Sequence, residues 1–134
     1  MGMTEAVKLF FSRYTDFKGR SSRGEYWWAY LGLVLLIIVP YFLVVLFTSM
    51  GIQAIAGLIG ILLLIFYLAI IIPGIAIVIR RLHDLDKSGW WYFIALVPLI
   101  GGLLLLYWFC QPGTKGPNTY GGDPLGGMDV NAFD

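Results

Sequence analysis

Residues 26–79 read YWWAYLGLVLLIIVPYFLVVLFTSMGIQAIAGLIGILLLIFYLAIIIPGIAIVI, a run without a single Asp, Glu, Lys, Arg or His. A helix rises about 1.5 Å per residue, and the hydrocarbon core of a bilayer is about 30 Å thick. As one rod the run would be roughly 80 Å long, enough for two crossings and too long for one. The reversal falls at Thr48-Ser49-Met50-Gly51-Ile52-Gln53, where polar side chains gather around a helix-breaking glycine. The stretch therefore predicts an antiparallel pair of spans over about 24–48 and 53–79.

Outward from this pair, Ser22-Arg23-Gly24-Glu25 fits a capping box, with Ser22 as N-cap and Glu25 three residues on. Tyr26, Trp27 and Trp28 follow, rings that favour the headgroup layer. A second charge-free run extends from Ser88 to Thr114. Its apolar body, 90–110, matches the roughly 20 residues of a span. Trp90, Trp91 and Tyr92 mark one end, and Tyr107, Trp108 and Phe109 the other. The fold class expected is thus all-α integral membrane with three transmembrane helices. A single membrane domain comprises an amphipathic helix at 4–17, a helical core at 24–110 and an irregular tail at 111–134.

Composition agrees. Of 134 residues, 59% are hydrophobic and 13% charged, with a mean hydropathy of +0.81. A soluble domain carries about 25% charged residues. The net charge of +1 gives no field for nucleic acid. A lone cysteine, Cys110, excludes an internal disulfide, and no C-x-x-C suggests zinc or a dithiol. Residues 1–25 carry eight charges and no apolar h-region, so no cleavable signal is expected. Met1-Gly2 opens like a myristoylation signal, but Ala6 stands where Ser or Thr is needed.

Five Lys and Arg precede the first span, and Arg80, Arg81 and Lys87 lie between the second and third. The positive-inside rule places both segments in the cytoplasm. With three spans, the tail and its Lys115 would be external. Val7, Phe10, Phe11, Tyr14 and Phe17 recur at helical spacing, the pattern of a short helix lying in the interface. Pro40, Pro73 and Pro98 fall one in each expected span. Each removes a helical donor, and Pro73-Gly74 is the best candidate for a break exposing backbone to a solute. The small residues Ala29, Gly32, Ala54, Gly57, Gly60, Gly101 and Gly102 permit close helix packing but form no G-x-x-x-G.

Chemistry-bearing side chains concentrate in Arg80-Arg81-Leu82-His83-Asp84-Leu85-Asp86-Lys87-Ser88-Gly89. Three readings compete: a cytoplasmic turn whose arginines meet a helix C-terminus, an intersegment salt-bridge network, and a metal or proton pair at His83 and Asp84. With one His in the chain, a closed metal site would need Glu25, Asp16 or Asp86. No phosphate loop, G-x-S-x-G or H-E-x-x-H occurs. No catalytic residue, metal or cofactor is assigned.

Three motifs in order, Phe17-x-Gly19-Arg20-x-Ser22-Arg23-x-Glu25-x-Trp27, Arg80-Arg81-Leu82-His83-Asp84 with Ser88-Gly89-Trp90-Trp91, and Pro112-Gly113-x-x-Gly116-x-Asn118-x-Tyr120-Gly121, resemble the family catalogued as domain of unknown function 805. The resemblance covers roughly 8–125 and implies a small protein of the bacterial inner membrane, with no activity attached. Arg20, Arg23, Glu25, Arg81, His83, Asp84, Gly89, Trp90, Asn118 and Gly121 match its pattern. With Arg80 and Tyr120 they supply the candidate functional cluster: Arg20, Arg23, Glu25, Arg80, Arg81, His83, Asp84, Trp90, Asn118 and Tyr120. The expected role is a non-enzymatic oligomer subunit or adaptor whose charged cytoplasmic face meets a membrane-protein partner or anionic lipid. The alternatives are an oligomeric transporter or channel and, third, a membrane enzyme or metal site.

Overall fold

A computed structural model describes residues 2–125; Met1 and residues 126–134, including the end of the expected tail, lie outside the described residues. Helix α1 covers Met3–Ser12 and α2 covers Arg23–Ser49. The Ser22 hydroxyl accepts the Glu25 amide at 3.1 Å, which is half of the expected capping box. At its far end, Gly51 takes φ +78°, the Ile52 amide returns to Phe47 and the Gly51 amide to Thr48. This Schellman closure needs a residue tolerant of positive φ, and it makes the turn predicted at 48–53.

Helix α3, Gln53–Ala69, runs back along α2 and passes through Ile70 into α4, Ile71–Asp84. The interruption follows from Pro73, which has no N–H to give to the carbonyl four residues earlier, on Ala69. The Tyr14 hydroxyl donates to that carbonyl instead, at 3.2 Å. The expected break is therefore real, but its freed backbone acceptor is already engaged by the chain. Among the described residues, Arg23–Ser49 and Gln53–Asp84 are the two helices long and apolar enough to cross a membrane.

The expected third span at 90–110 is not a single helix. Residues Gly89–Leu96 make a 3-10 helix, and α5 covers only Ile100–Cys110. Between them the chain reverses at Val97-Pro98-Leu99, with Leu99 at φ +66°. The legs are about 16 Å each, at about 2.0 Å per residue for 3-10 and 1.5 Å for α, half a hydrocarbon core. Both ends of the segment return to one place. Ser88 caps the 3-10 helix four residues after Asp84, and the Thr114 amide donates to the Asp84 carbonyl at 2.7 Å. The two aromatic groups that looked like opposite interfaces are neighbours, with Trp91 and Trp108 edge to face at 5.8 Å. Gly101 permits this hairpin, because a Cβ there would be driven into the Ile94 carbonyl. A tail on the opposite side from the N-terminal segment is thereby corrected: as far as Leu125 it lies at the same end.

Helix α1 also differs from the expected flat interfacial helix. It runs antiparallel along α2, with Arg13 beside Glu25 and Val7 and Met3 over Gly32. Ala6 and Phe10 are its buried residues, packed with Ala29 and Ile77, while Phe11, Tyr14 and Phe17 of the predicted stripe stay partly exposed. A second small core joins Leu82 to Leu105 and Phe109. Elsewhere the large apolar side chains of α2 and α3 point outward, the pattern of a surface solvated by lipid.

Candidate functional site

At the end of the molecule where α2 begins and α4 finishes, charges are buried. Arg80 and Arg81 are fully inaccessible, and Arg20, Glu25, His83 and Asp84 are nearly so. Uncompensated, an ionised group in such a place costs several kcal/mol, so its partners decide what the cluster is.

Asp84 is the hub. Its Oδ1 accepts from Arg20 Nε and Nη2, at 3.1 and 2.9 Å, and its Oδ2 accepts from Arg81 Nη1 at 2.8 Å. Arg20 also donates to the tail carbonyls of Thr114, Gly116 and Gly121. Arg81 reaches the carbonyls of Phe109 and Gln111, Arg23 that of Cys110, and the Trp27 indole again that of Phe109. These are orphan acceptors of the C-terminal end of α5, which attract cations and N–H donors. Gly113 lets the tail cross Asp84, since a Cβ there would collide with its carboxylate.

A second set adjoins the first. Arg80 Nε donates to the Ser21 hydroxyl at 2.8 Å and its Nη1 to the carbonyls of Arg13 and Asp16. Its Nη2 faces Glu25 at 3.9 Å. Glu25 accepts from Arg13 at 3.0 Å, and Arg13 forks onto Asp16 at 2.9 and 3.0 Å. Partial burial pushes the Asp16 carboxyl up, but bonds from the Gly19 amide, the Arg13 guanidinium and the Lys18 amide outweigh it. The Asp16 pKa falls from 3.8 to about 2.

His83 and Asp84 are adjacent in sequence but do not act as a pair. His83 Nδ1 meets the Gly19 carbonyl at 3.0 Å, and its ring stacks flat on Tyr120 at 3.9 Å. Asn118 donates to the His83 carbonyl at 2.9 Å and accepts the Tyr120 amide. Among the described residues no three His, Cys, Asp or Glu side chains converge as metal ligands. Of the ten candidates, nine assemble here. Trp90 does not: it is 76% exposed, stacked on Phe93, and shares only a groove of about 460 Å³ with His83.

Of the three readings of residues 80–89, the intersegment salt-bridge network is the one that forms: Arg80 to Asp84 are buried, whereas residues 85–89 are partly or fully exposed. The candidate cluster leaves out Arg13 and Ser21, and Asp16 enters the sequence analysis only as a possible metal ligand, although the i,i+3 spacing of Arg13 and Asp16 was a usable signal. The tail carbonyls that receive Arg20 have no residue-type signature at all.

A family model described as protein of unknown function (DUF805) matches residues 14–122. The chain is 40% identical over 111 residues to inner membrane protein YhaH of Escherichia coli (strain K12), covering 83% of this chain and 88% of that one. It is also 40% identical over 122 residues to inner membrane protein YhaI of the same strain, covering 87% and 92%. No solved structure matches.

Proposed function

Because this chain belongs to the DUF805 family, which is defined only as being of unknown function, we propose its role from its own geometry: a non-enzymatic inner-membrane module that works as an oligomer subunit or as an adaptor for a membrane-protein partner. The observation that carries this reading is the orientation of the buried polar groups. Arg20, Arg80, Arg81, Glu25 and Asp84 are turned on one another, on Arg13 and Ser21 and on backbone carbonyls, which holds α1, α2, α4, the hairpin and the tail together.

Positive charge sets the orientation. No Lys or Arg occurs from Gly24 to Ile79, and all nine lie in α1, residues 13–23, residues 80–87 or the tail. The positive-inside rule then puts the knot, the N-terminal segment and the tail in the cytoplasm. The knot has four arginines, Arg13, Arg20, Arg80 and Arg81, against three carboxylates, Asp16, Glu25 and Asp84. Exposed Lys18 and Lys115 add to the excess, which favours anionic headgroups around this end.

A transporter draws less support. The break at Pro73 offers a solute no free carbonyl at Ala69, because Tyr14 already binds it. Native mass spectrometry from nanodiscs of anionic or zwitterionic lipid tests the proposal. Self-association, a retained membrane-protein partner or adducts specific to anionic lipid are expected. A bare monomer in both lipids, with no partner retained from native membranes, would overturn it.

A further inference from the structure

The molecule has very different widths along its long axis. At the arginine end a section parallel to the membrane cuts α1, α2, α4 and both legs of the hairpin. Beyond the level of Leu33 and Ile70, which both pack on the core of Ala6, Phe10, Ala29 and Ile77, α3 has replaced α4 and the hairpin has already turned back. The start of α1 reaches on to Leu36 and Pro40 through Met3 and Thr4, and past that level only α2 and α3 continue. A helix with its side chains is about 10 Å across, or roughly 80 Å² in section. Helix α1 carries exposed Glu5 and Lys8, so the apolar segments of the wide half are α2, α4 and the two hairpin legs; four against two leave an excess of about 160 Å² in one half of the bilayer by that measure.

The wide half belongs in lipid. The hairpin has no charged residue from Gly89 to Cys110, and its reversing tip is exposed, with Leu96 at 77% and Leu99 at 79%. Its two aromatic groups sit together at the mouth, where Lys87 Nζ lies 4.7 Å over the Trp108 ring. Rings and a lysine at the mouth and aliphatic side chains at the tip are the arrangement of a segment that enters one leaflet and leaves by the same surface. The narrow half ends at Gly51 in an uncharged turn.

We infer that this chain is an asymmetric wedge that recognises membrane shape: it inserts four apolar segments into the leaflet at its arginine end and two into the other, and favours bilayers that are convex on the arginine side. A leaflet that receives more cross-section must expand relative to its partner, and a bilayer already curved that way accommodates it with less strain. In the orientation given above, the favoured membrane bulges toward the cytoplasm. The inference rests on the membrane placement proposed above and extends it to the lipid surface as ligand.

The test uses the full chain in giant vesicles of one fixed mixture of zwitterionic and anionic phospholipid. In a Cys110→Ser background, Lys115→Cys is labelled from outside with an impermeant dye. Molecules facing inward are then labelled with a permeant dye of a second colour. Narrow tubes are pulled outward, and the tube-to-vesicle ratio is read for each colour. Molecules with the arginine end on the outer leaflet are expected to be enriched several-fold in the tube, and inward-facing molecules to be depleted. Equal ratios for the two colours, or enrichment of the inward-facing molecules, would overturn the inference alone. A Lys18→Cys label on the face opposite to position 115 would overturn the placement and the inference together.

Discussion

Replacing Asp84 with Asn keeps the shape of the side chain and removes the one charge that two buried guanidiniums share. Arg20 and Arg81 contact it through three bonds of 2.8 to 3.1 Å, so the variant leaves four arginines in the knot against the two carboxylates of Glu25 and Asp16. Breaking a buried ion pair from one side costs about 3–5 kcal/mol. The knot lies near the headgroups, where a released guanidinium reaches water by extending its stem, so the lower figure of about 3 kcal/mol is expected. At about 1.4 kcal/mol per decade, that is roughly a hundredfold in the folding equilibrium. The assay is reversible denaturation from mixed micelles into SDS, followed by tryptophan fluorescence, in which Trp27 reports the docked end of α5 through its bond to Phe109. Arg20→Gln and the double variant complete a cycle, and the double variant should cost clearly less than the sum of the two. A loss below about 1 kcal/mol for Asp84→Asn, the value of a solvent-screened pair, would refute the buried-knot reasoning.

Tyr14→Phe should cost about 1 kcal/mol in the same titration by stripping the Ala69 carbonyl of its donor. In a Pro73→Ala background, where residue 73 regains its N–H, the substitution should cost almost nothing; equal costs in both backgrounds would dismiss the replacement role. Gly101→Ala should separate the hairpin legs and destabilise by about 2 kcal/mol or more, whereas Gly57→Ala, with open space around it, should be neutral or slightly stabilising; SDS midpoints compare the two. Asp16 has a folded pKa below its unfolded one, so its contribution is present above about 4 and is lost as pH falls through about 2. A carboxyl NMR titration of Asp16 checks this, with Arg13→Gln expected to move its midpoint upward and an ordinary midpoint in the parent counting against the Asp16 loop.

The buried knot changes what the charged segments mean for a membrane protein. Lys and Arg near a span end usually serve topology alone. Here arginines also hold a hairpin, residues 89–110, that turns back on itself. The hairpin is capped on entry by Ser88 and anchored at its exit by Arg23, Trp27 and Arg81 on the carbonyls. Without that anchoring, the C-terminal end of an 11-residue helix would leave its last carbonyls unpaired beside lipid, at several kcal/mol each.

The charge-free run of residues 26–79, the cap at Ser22 and the turn at Gly51 were enough to determine two apolar helices and their reversal, because these depend on local composition and on the thickness of a bilayer. The cluster's membership was also visible, since Arg20, Glu25, Arg81, His83 and Asp84 fall in motifs. Only the tertiary structure decided that these residues are buried and face one another, and that residues 89–110 turn back. A run of about twenty apolar residues satisfies either one crossing or two half-crossings, and hydropathy is the same for both. What separates them is the packing of Gly101 against Ile94 and the capture of α5's last carbonyls by Arg81, Arg23 and Trp27. The three carbonyl contacts join residues 28 to 87 positions apart, and Gly101 meets Ile94 only once the chain has reversed, so no local pattern encodes them.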